Sequence, residues 1–169
     1  GEQTRVGDVK ILEGQGQAQI STEPALSMLG VHPGEPFNIF AFNEGIEQLK
    51  SWYRNLGYLE VAILHEGTSG DSSEAIVQYR EENRIADIRI VLQPGIQFKL
   101  AGVRVNGLQK THESVVIREM ALSPGQVLTE GLLSESESKL RKLGLFSSVQ
   151  IRMEADPDRK DHRWIEVEV

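Results

Sequence analysis

Side chains able to do chemistry are present in this chain, but not at the spacings that chemistry requires. Four histidines, His32, His65, His112 and His162, are separated by dozens of residues, and none stands in a His-Glu-x-x-His pattern that would present two ligands on one helix face. His112-Glu113 falls where a helix begins, a place where Glu113 serves as an acidic residue near the positive end of the helix dipole. There is no cysteine, which removes thiolate metal sites, disulfides and cysteine nucleophiles. The carboxylates of Glu81-Glu82 and of Glu135 and Glu137 lack the Asp-x-Asp-x-Asp-Gly alternation of a calcium loop and read as solvated surface. No nucleophile, base and orienting acid can be assembled. The expectation is a protein that is not an enzyme and uses no cofactor or metal.

Two glycine patterns point weakly to nucleic acid or nucleotide. Gly67-Thr68-Ser69-Gly70 matches the GxxG clamp of an RNA-binding KH module, but it follows a strand instead of joining two helices, and Glu66 and Asp71 flank it with the wrong charge. Gly14-Gln15-Gly16 follows a strand as a phosphate loop would, without the third glycine. Lys plus Arg number 18 against 25 Asp plus Glu, a net charge of −7. A phosphate backbone is repelled on balance, so no nucleic-acid partner is expected. Trp52, beside an apolar helix face, and Trp164, at the start of a strand, read as packing residues.

The elements that would carry any site occur twice. Val6-Gly7-Asp8-Val9-Lys10-Ile11 before Gly14 recurs as Leu100-Ala101-Gly102-Val103-Arg104-Val105 before Gly107. Pro33-Gly34 recurs as Pro124-Gly125, and Leu56-Gly57-Tyr58-Leu59 as Leu143-Gly144-Leu145-Phe146. Three landmarks in one order mark a duplicated unit. In both copies the alternation of the first strand slips by one residue, which predicts a β-bulge eased by Gly7 or Gly102. A short helix follows, with Thr22 or Thr111 as its expected cap.

A longer helix comes next. In the first copy Ile39, Phe42, Ile46, Leu49, Tyr53 and Leu56 are spaced three and four apart and share one face, which predicts a core face. Its counterpart carries Leu132, Leu133, Ser136, Leu140 and Leu143 behind a Thr129 cap. Gly57 and Gly144 sit where a left-handed glycine ends each helix. Two strands complete the unit, Val61 and Ile63 or Val149 and Ile151 opening the first, and Ile88, Ile90, Leu92 or Ile165, Val167, Val169 forming the last. Ala75 to Glu81 and Arg84 to Leu92 read as hairpin arms turning at Glu82-Asn83, and Gly67 to Ser73 as an excursion. The order is β-α-α-β-β twice, with Pro94-Gly95 as the seam between domains 1–95 and 96–169. The fold class is α+β, each copy a three-stranded mixed sheet covered on one face by two helices. No apolar stretch approaches the roughly 20 residues of a membrane helix. The chain stops at Val169 inside what reads as a strand, and is expected to be a segment of a longer protein.

This order, with Leu56-Gly57-Tyr58 and Leu143-Gly144-Leu145-Phe146 leading into strands, the Pro94-Gly95 seam, and Val103-Arg104-Val105-Asn106-Gly107 after it, resembles tandem POTRA (polypeptide-transport-associated) domains. These belong to the BamA- and TamA-like family of outer-membrane protein assembly and translocation. The resemblance implies a periplasmic module ahead of a C-terminal outer-membrane β-barrel. Its implied partners are unfolded outer-membrane client polypeptides or periplasmic accessory proteins. Two-partner secretion transporters share the module, and a generic periplasmic interaction module of the same topology is the other reading.

A physical route to such binding is a free sheet edge, where unpaired N–H and C=O groups accept an extended client. If the third strand of each unit lies between the first and second, the second is at an edge. In the first copy that edge includes Val61, Ala62, Ile63, Leu64 and His65, of which the run 61–64 carries no charge, whereas Arg152 and Glu154 guard the second copy. Gly57, Tyr58, Gly95, Gly107, Gly144 and Phe146 are the expected structural positions.

Overall fold

The computed structural model describes residues 3–14, 16–17, 19–64 and 76–169. The chain divides into two compact units, Gly1–Tyr53 with Glu60–Gly95, and Arg54–Leu59 with Ile96–Val169. The expected excursion at 67–73 and both His65 and Ala75 lie outside the described residues.

The first unit runs β1 (Arg5–Glu13), β2 (Gly16–Gln17), α1 (Thr22–Leu29), α2 (Ile39–Arg54), β3 (Ala62–Leu64), β4 (Ile76–Arg80) and β5 (Ile85–Gln93). The second runs β6 (Lys99–Asn106), α3 (Glu113–Met120), α4 (Glu130–Lys142), β7 (Gln150–Ala155) and β8 (His162–Glu168). In both, the last strand is central, parallel to the first and antiparallel to the second. The fold is α+β with mixed sheets.

The central strands show why. Along β5 every second residue, Ala86, Ile88, Ile90 and Leu92, is buried. A period of two puts these on one face, where Leu29 of α1 and Phe42, Leu49 and Tyr53 of α2 are also buried. Of the six α2 residues expected in the core, Ile39 and Leu56 at the ends are 39% and 37% exposed. Gly45 is buried in that helix as well, and a Cβ on it would lie 2.4 Å from Met28 O and 2.6 Å from the Cα of Leu29. The helices are in backbone contact there. In the second unit Val116, Met120, Leu128, Leu140, Ile165 and Val167 form the core. Ser136 is 1% exposed and satisfies its hydroxyl on the carbonyl of Leu132 at 2.8 Å.

The bulges are present in both first strands, between Val6 and Val9 and between Leu100 and Gly102. Each glycine makes room for a side chain from the central strand. The space a Gly7 Cβ would need holds the Asp87 carboxylate, which accepts from the Asp8 N–H at 2.8 Å. At Gly102 the same space holds the Trp164 ring, with Arg104 stacked 4.1 Å from its centroid. Trp164 is thus a packing residue on the sheet face.

Two helix starts differ from expectation. Ser21 and His112, not Thr22 and Thr111, hold the N-cap positions, and neither caps with its side chain. The helices begin one residue later or earlier than the hydroxyl would choose because the buried stripes, Leu26 with Leu29 and Val116 with Met120, set their phase. Thr129 does cap α4, accepting from the Leu132 N–H at 3.1 Å. β2, pairing with Leu12 and Glu13 of β1, is an addition that the sequence pattern did not suggest.

Candidate functional site

Which sheet edges are open follows from the main-chain hydrogen bonds. The outer edge of β1 is covered near its start, where Phe37 N–H donates to Thr4 O at 2.8 Å and Gly34 N–H to Val6 O at 2.7 Å, and near its end by β2. The repeat does the same in the second unit, where Leu128 N–H donates to Phe98 O at 2.8 Å and Gly125 N–H to Leu100 O at 2.7 Å. The opposite edges are β3 with β4, which follow each other along β5, and β7. Among the described residues no further strand pairs with them.

The direction of each peptide group on these edges can be read by parity, since successive residues of a strand turn their N–H and C=O to opposite sides. Leu92 O accepts from Gly14 N–H at 2.9 Å and Arg84 O from Arg5 N–H at 2.8 Å. Even-numbered residues of β5 therefore face β1, and odd-numbered ones face β3 and β4. Ala62 lies opposite Gln93, Leu64 opposite Val91, Gln78 opposite Asp87 and Arg80 opposite Ile85, so these four are tied inward. The main-chain groups of Ile63, Val77 and Tyr79 are directed away from the sheet. The same reasoning on β8, from Lys99 N–H to Asp161 O at 2.9 Å, directs Ile151, Met153 and Ala155 outward on β7.

The side chains of the outward residues lie on the helix-covered face, because Ile63, Val77 and Tyr79 stand opposite buried Leu92, Ile88 and Ala86. Ile63 is fully buried, whereas Tyr79 is 48% exposed and meets the Phe37 ring edge-on at 6.3 Å. Phe37 in turn packs 5.7 Å from Phe42, and Phe40, in the first turn of α2, is 80% exposed. The edge thus borders a half-open aromatic strip.

Of the residues singled out in the sequence, Val61 and Ile63 bury their side chains, Ala62 is half-buried, and the Leu64 main chain pairs with Val91. β3 is only three residues long, and the open edge continues into β4. The hairpin arm expected over 75–81 is β4, antiparallel to β5 across a turn at 81–84; that it continues the edge begun by β3 was not read from the sequence. Gly57, Gly95, Gly107 and Gly144 have φ of 94°, 76°, 87° and 66°. At Gly57 a side chain would also meet Val127 at 2.4 Å, and at Gly107 the carbonyl of Val169 at 2.1 Å. Tyr58 and Phe146 are half-buried.

The polar groups are used locally. Tyr53 is fully buried and donates to Glu13 at 3.0 Å, and burial followed by that carboxylate pushes its phenol well above the usual range. His32 sits 3.1 Å from Glu23, and His162 2.8 Å from Asp161. Among the described residues no three His, Asp or Glu side chains are grouped to hold a metal. No helix among them is long and apolar enough to cross a membrane.

The two units share one architecture, a mixed sheet under two helices whose second-strand edge is unpaired among the described residues. The chain belongs to the POTRA family, described as the surface antigen variable number repeat, whose model matches residues 4–95 and 98–169. It is 27% identical over 149 residues to a Treponema pallidum (strain Nichols) protein described as an outer membrane protein assembly factor, covering 88% of this chain. The chain spans 16% of that relative's length. Among solved structures it is similar to POTRA domains 3–5 of Haemophilus influenzae BamA, with a TM-score of 0.72 at 18% identity over 99% of this chain and 61% of that one. Haemophilus ducreyi BamA lacking POTRA domains 1–3 matches with a TM-score of 0.76 at 18% identity, covering 97% of this chain and 29% of that one.

Proposed function

We propose that this chain is a periplasmic binding scaffold of an outer-membrane β-barrel protein that assembles or translocates polypeptides. It holds extended client polypeptides, or accessory proteins, by adding their strand to the open second-strand edge of a unit. The observation that carries this reading is the set of outward peptide groups at Ile63, Val77 and Tyr79, on an edge whose opposite counterpart on β1 is covered. Main-chain pairing supplies affinity without demanding one sequence, which suits a module serving many clients. Each edge binds weakly, and repeated modules add avidity.

The test titrates an extended peptide with the alternation of an outer-membrane strand into the protein, followed by NMR. Ile63→Pro and Tyr79→Pro each remove an outward donor and no main-chain bond to β5, and each variant is first confirmed to be folded, since Ile63 also fills a core position; Ala62→Pro, whose N–H faces β5, breaks the ladder and is the wrong probe. Binding shifts along β3 and β4 that vanish in the outward variants are expected. Shifts confined to other surfaces, or unchanged by both prolines, refute edge binding while leaving the family assignment standing.

A further inference from the structure

The second compact unit includes a short segment from outside its own β-α-α-β-β run, Arg54–Leu59, which carries the Leu56-Gly57-Tyr58 motif. Gly57 O accepts from Phe98 N–H at 2.9 Å, Leu56 O from the Gln97 amide at 2.7 Å, and the Asn55 side chain from Gly131 N–H at 3.0 Å. Leu59 packs on the core of that unit, and Gly57 is buried against Val127. The seat for this segment is built from the residues just before β6, from Val127 and from the first turn of α4.

The first unit has the same seat, and there it is exposed. Its position is fixed by bonds that the two units share: Phe37 N–H donates to Thr4 O as Leu128 N–H does to Phe98 O, both at 2.8 Å. The bridges of Arg5 with Pro36 and of Lys99 with Val127 complete the match. Gln3, Thr4, Pro36 and Phe40 therefore stand where Gln97, Phe98, Val127 and Gly131 stand. The N–H and C=O of one residue in extended chain point to the same side, so the Thr4 N–H faces the seat as that of Phe98 does. It has no acceptor among the described residues. Gln3 and Pro36 are exposed, and Phe40 is 80% exposed beside Ile39 at 39%.

We propose that this face of the first unit seats the helix-end segment of a further unit of the same repeat, a Leu-Gly pair followed by an aromatic or large apolar residue. The glycine carbonyl accepts from Thr4 N–H, the preceding carbonyl from the Gln3 amide, and the apolar side chain covers Phe40. An apolar contact at Phe40 takes the place of the polar one between Gly131 and Asn55, because the Phe40 N–H is already held by Asn38 at 3.0 Å. The chemistry of the occupant follows from the two copies of the motif in this chain. The one at Gly57 is buried on such a seat. The other, Leu143-Gly144-Leu145, is exposed, with Leu145 at 55% and nothing within 4 Å of a Cβ placed on Gly144. The chain thus presents both halves of one joint, which uses neither β3 nor β4 and goes beyond the edge-binding reading.

The experiment joins two copies of the whole chain through Gln-Pro. Five residues separate Leu92 from Phe98, and this linker puts the same five between Val169 and Thr4 of the following copy. The copies are ligated so that only the C-terminal one is isotope-labelled, and its amide exchange is compared by NMR with that of the single chain. Exchange at Thr4 slows by about fivefold or more, as one added main-chain hydrogen bond requires. Leu145→Asp in the N-terminal copy and Phe40→Asp in the C-terminal copy each return Thr4 to its single-chain rate. Both side chains are exposed, so the units stay folded, and an unchanged rate at Phe98 checks this. Equal exchange at Thr4 in the joined and single chains overturns the proposal. Protection of Thr4 that survives both Asp variants, or new protection confined to β4, overturns it as well.

Discussion

Replacing Gly45 with alanine sets two effects of similar size against each other. In an isolated helix the change stabilises by about 1 kcal/mol, because alanine loses less backbone freedom than glycine. Here the added methyl falls 2.4 Å from the carbonyl oxygen of Met28 and 2.6 Å from the Cα of Leu29, and both are backbone atoms that cannot rotate aside. Ordinary contact requires α1 and α2 to separate by roughly 1 Å, which loosens the packing of Leu29, Phe42 and Leu49 and costs about 2 to 3 kcal/mol. Overpacking wins, with a net loss of about 1 to 2 kcal/mol, or roughly 5 to 15 °C in the melting temperature of a unit this size. Gly131, near the start of α4, is the control. A Cβ there meets only the side-chain oxygen of Asn55 at 3.2 Å, so Gly131→Ala is neutral or slightly stabilising. Thermal unfolding is followed by tryptophan fluorescence, with Gly45→Ala in a Trp164→Phe background, where Trp52 reports on the first unit, and Gly131→Ala in a Trp52→Phe background, where Trp164 reports on the second. An unchanged or raised midpoint for Gly45→Ala refutes the backbone contact between the two helices.

Tyr53→Phe removes the donor to Glu13 and costs about 1 kcal/mol; hydrogen exchange at Gln19, whose N–H shares that carboxylate, speeds up. Gly144→Ala and Gly95→Ala each lose about 1 kcal/mol for the left-handed backbone, Gly95 no less than Gly144, since both have positive φ and open space around them; Gly57→Ala loses more because Val127 stands in the way, and melts of the three variants rank them. The Arg80 guanidinium, and after it the Asp8 N–H, hold the Asp87 carboxyl below its ordinary value. A depressed folded pKa gives stability that is present above the unfolded value near 4 and lost as pH falls through the folded one, so Asp87→Asn flattens the acid limb of a pH–stability curve recorded below about pH 5. The fragment 96–169 folds alone as an α+β unit, with faster exchange at Phe98, whose N–H otherwise donates to Gly57 O at 2.9 Å; circular dichroism and amide dispersion test it.

Much of the architecture was legible because it rests on periodicity. The stripe from Phe42 to Tyr53, the alternation of Ile88, Ile90 and Leu92, and the doubled slip at Gly7 and Gly102 are each a local pattern that only one kind of packed element satisfies. The helix caps were less legible. A hydroxyl at Thr22 or Thr111 is a weak local preference, of order 1 kcal/mol, and the burial of Leu29 or Met120 outweighs it. The candidate edge was half legible: the central place of the last strand stood as a condition of the βααββ reading, and the extent of the edge did not follow from it. β3 and β4 occupy one edge because both find partners on β5, a non-local pairing that no short window of sequence contains.

By itself, then, the amino-acid sequence determined the element types and the core faces, which depend on residue spacing along one element, and the repeat with its resemblance to the POTRA family, which rests on several motifs recurring in one order. Only the tertiary structure decided which peptide groups point outward. That depends on the parity of β5, fixed by its bonds to β1 on the far side, so the choice of Ile63 over Ala62 as the exposed donor is made two strands away. The row of Arg5, Ile85 and Arg80 is likewise a product of pairing, because residues about 75 positions apart lie in line only once the sheet has formed.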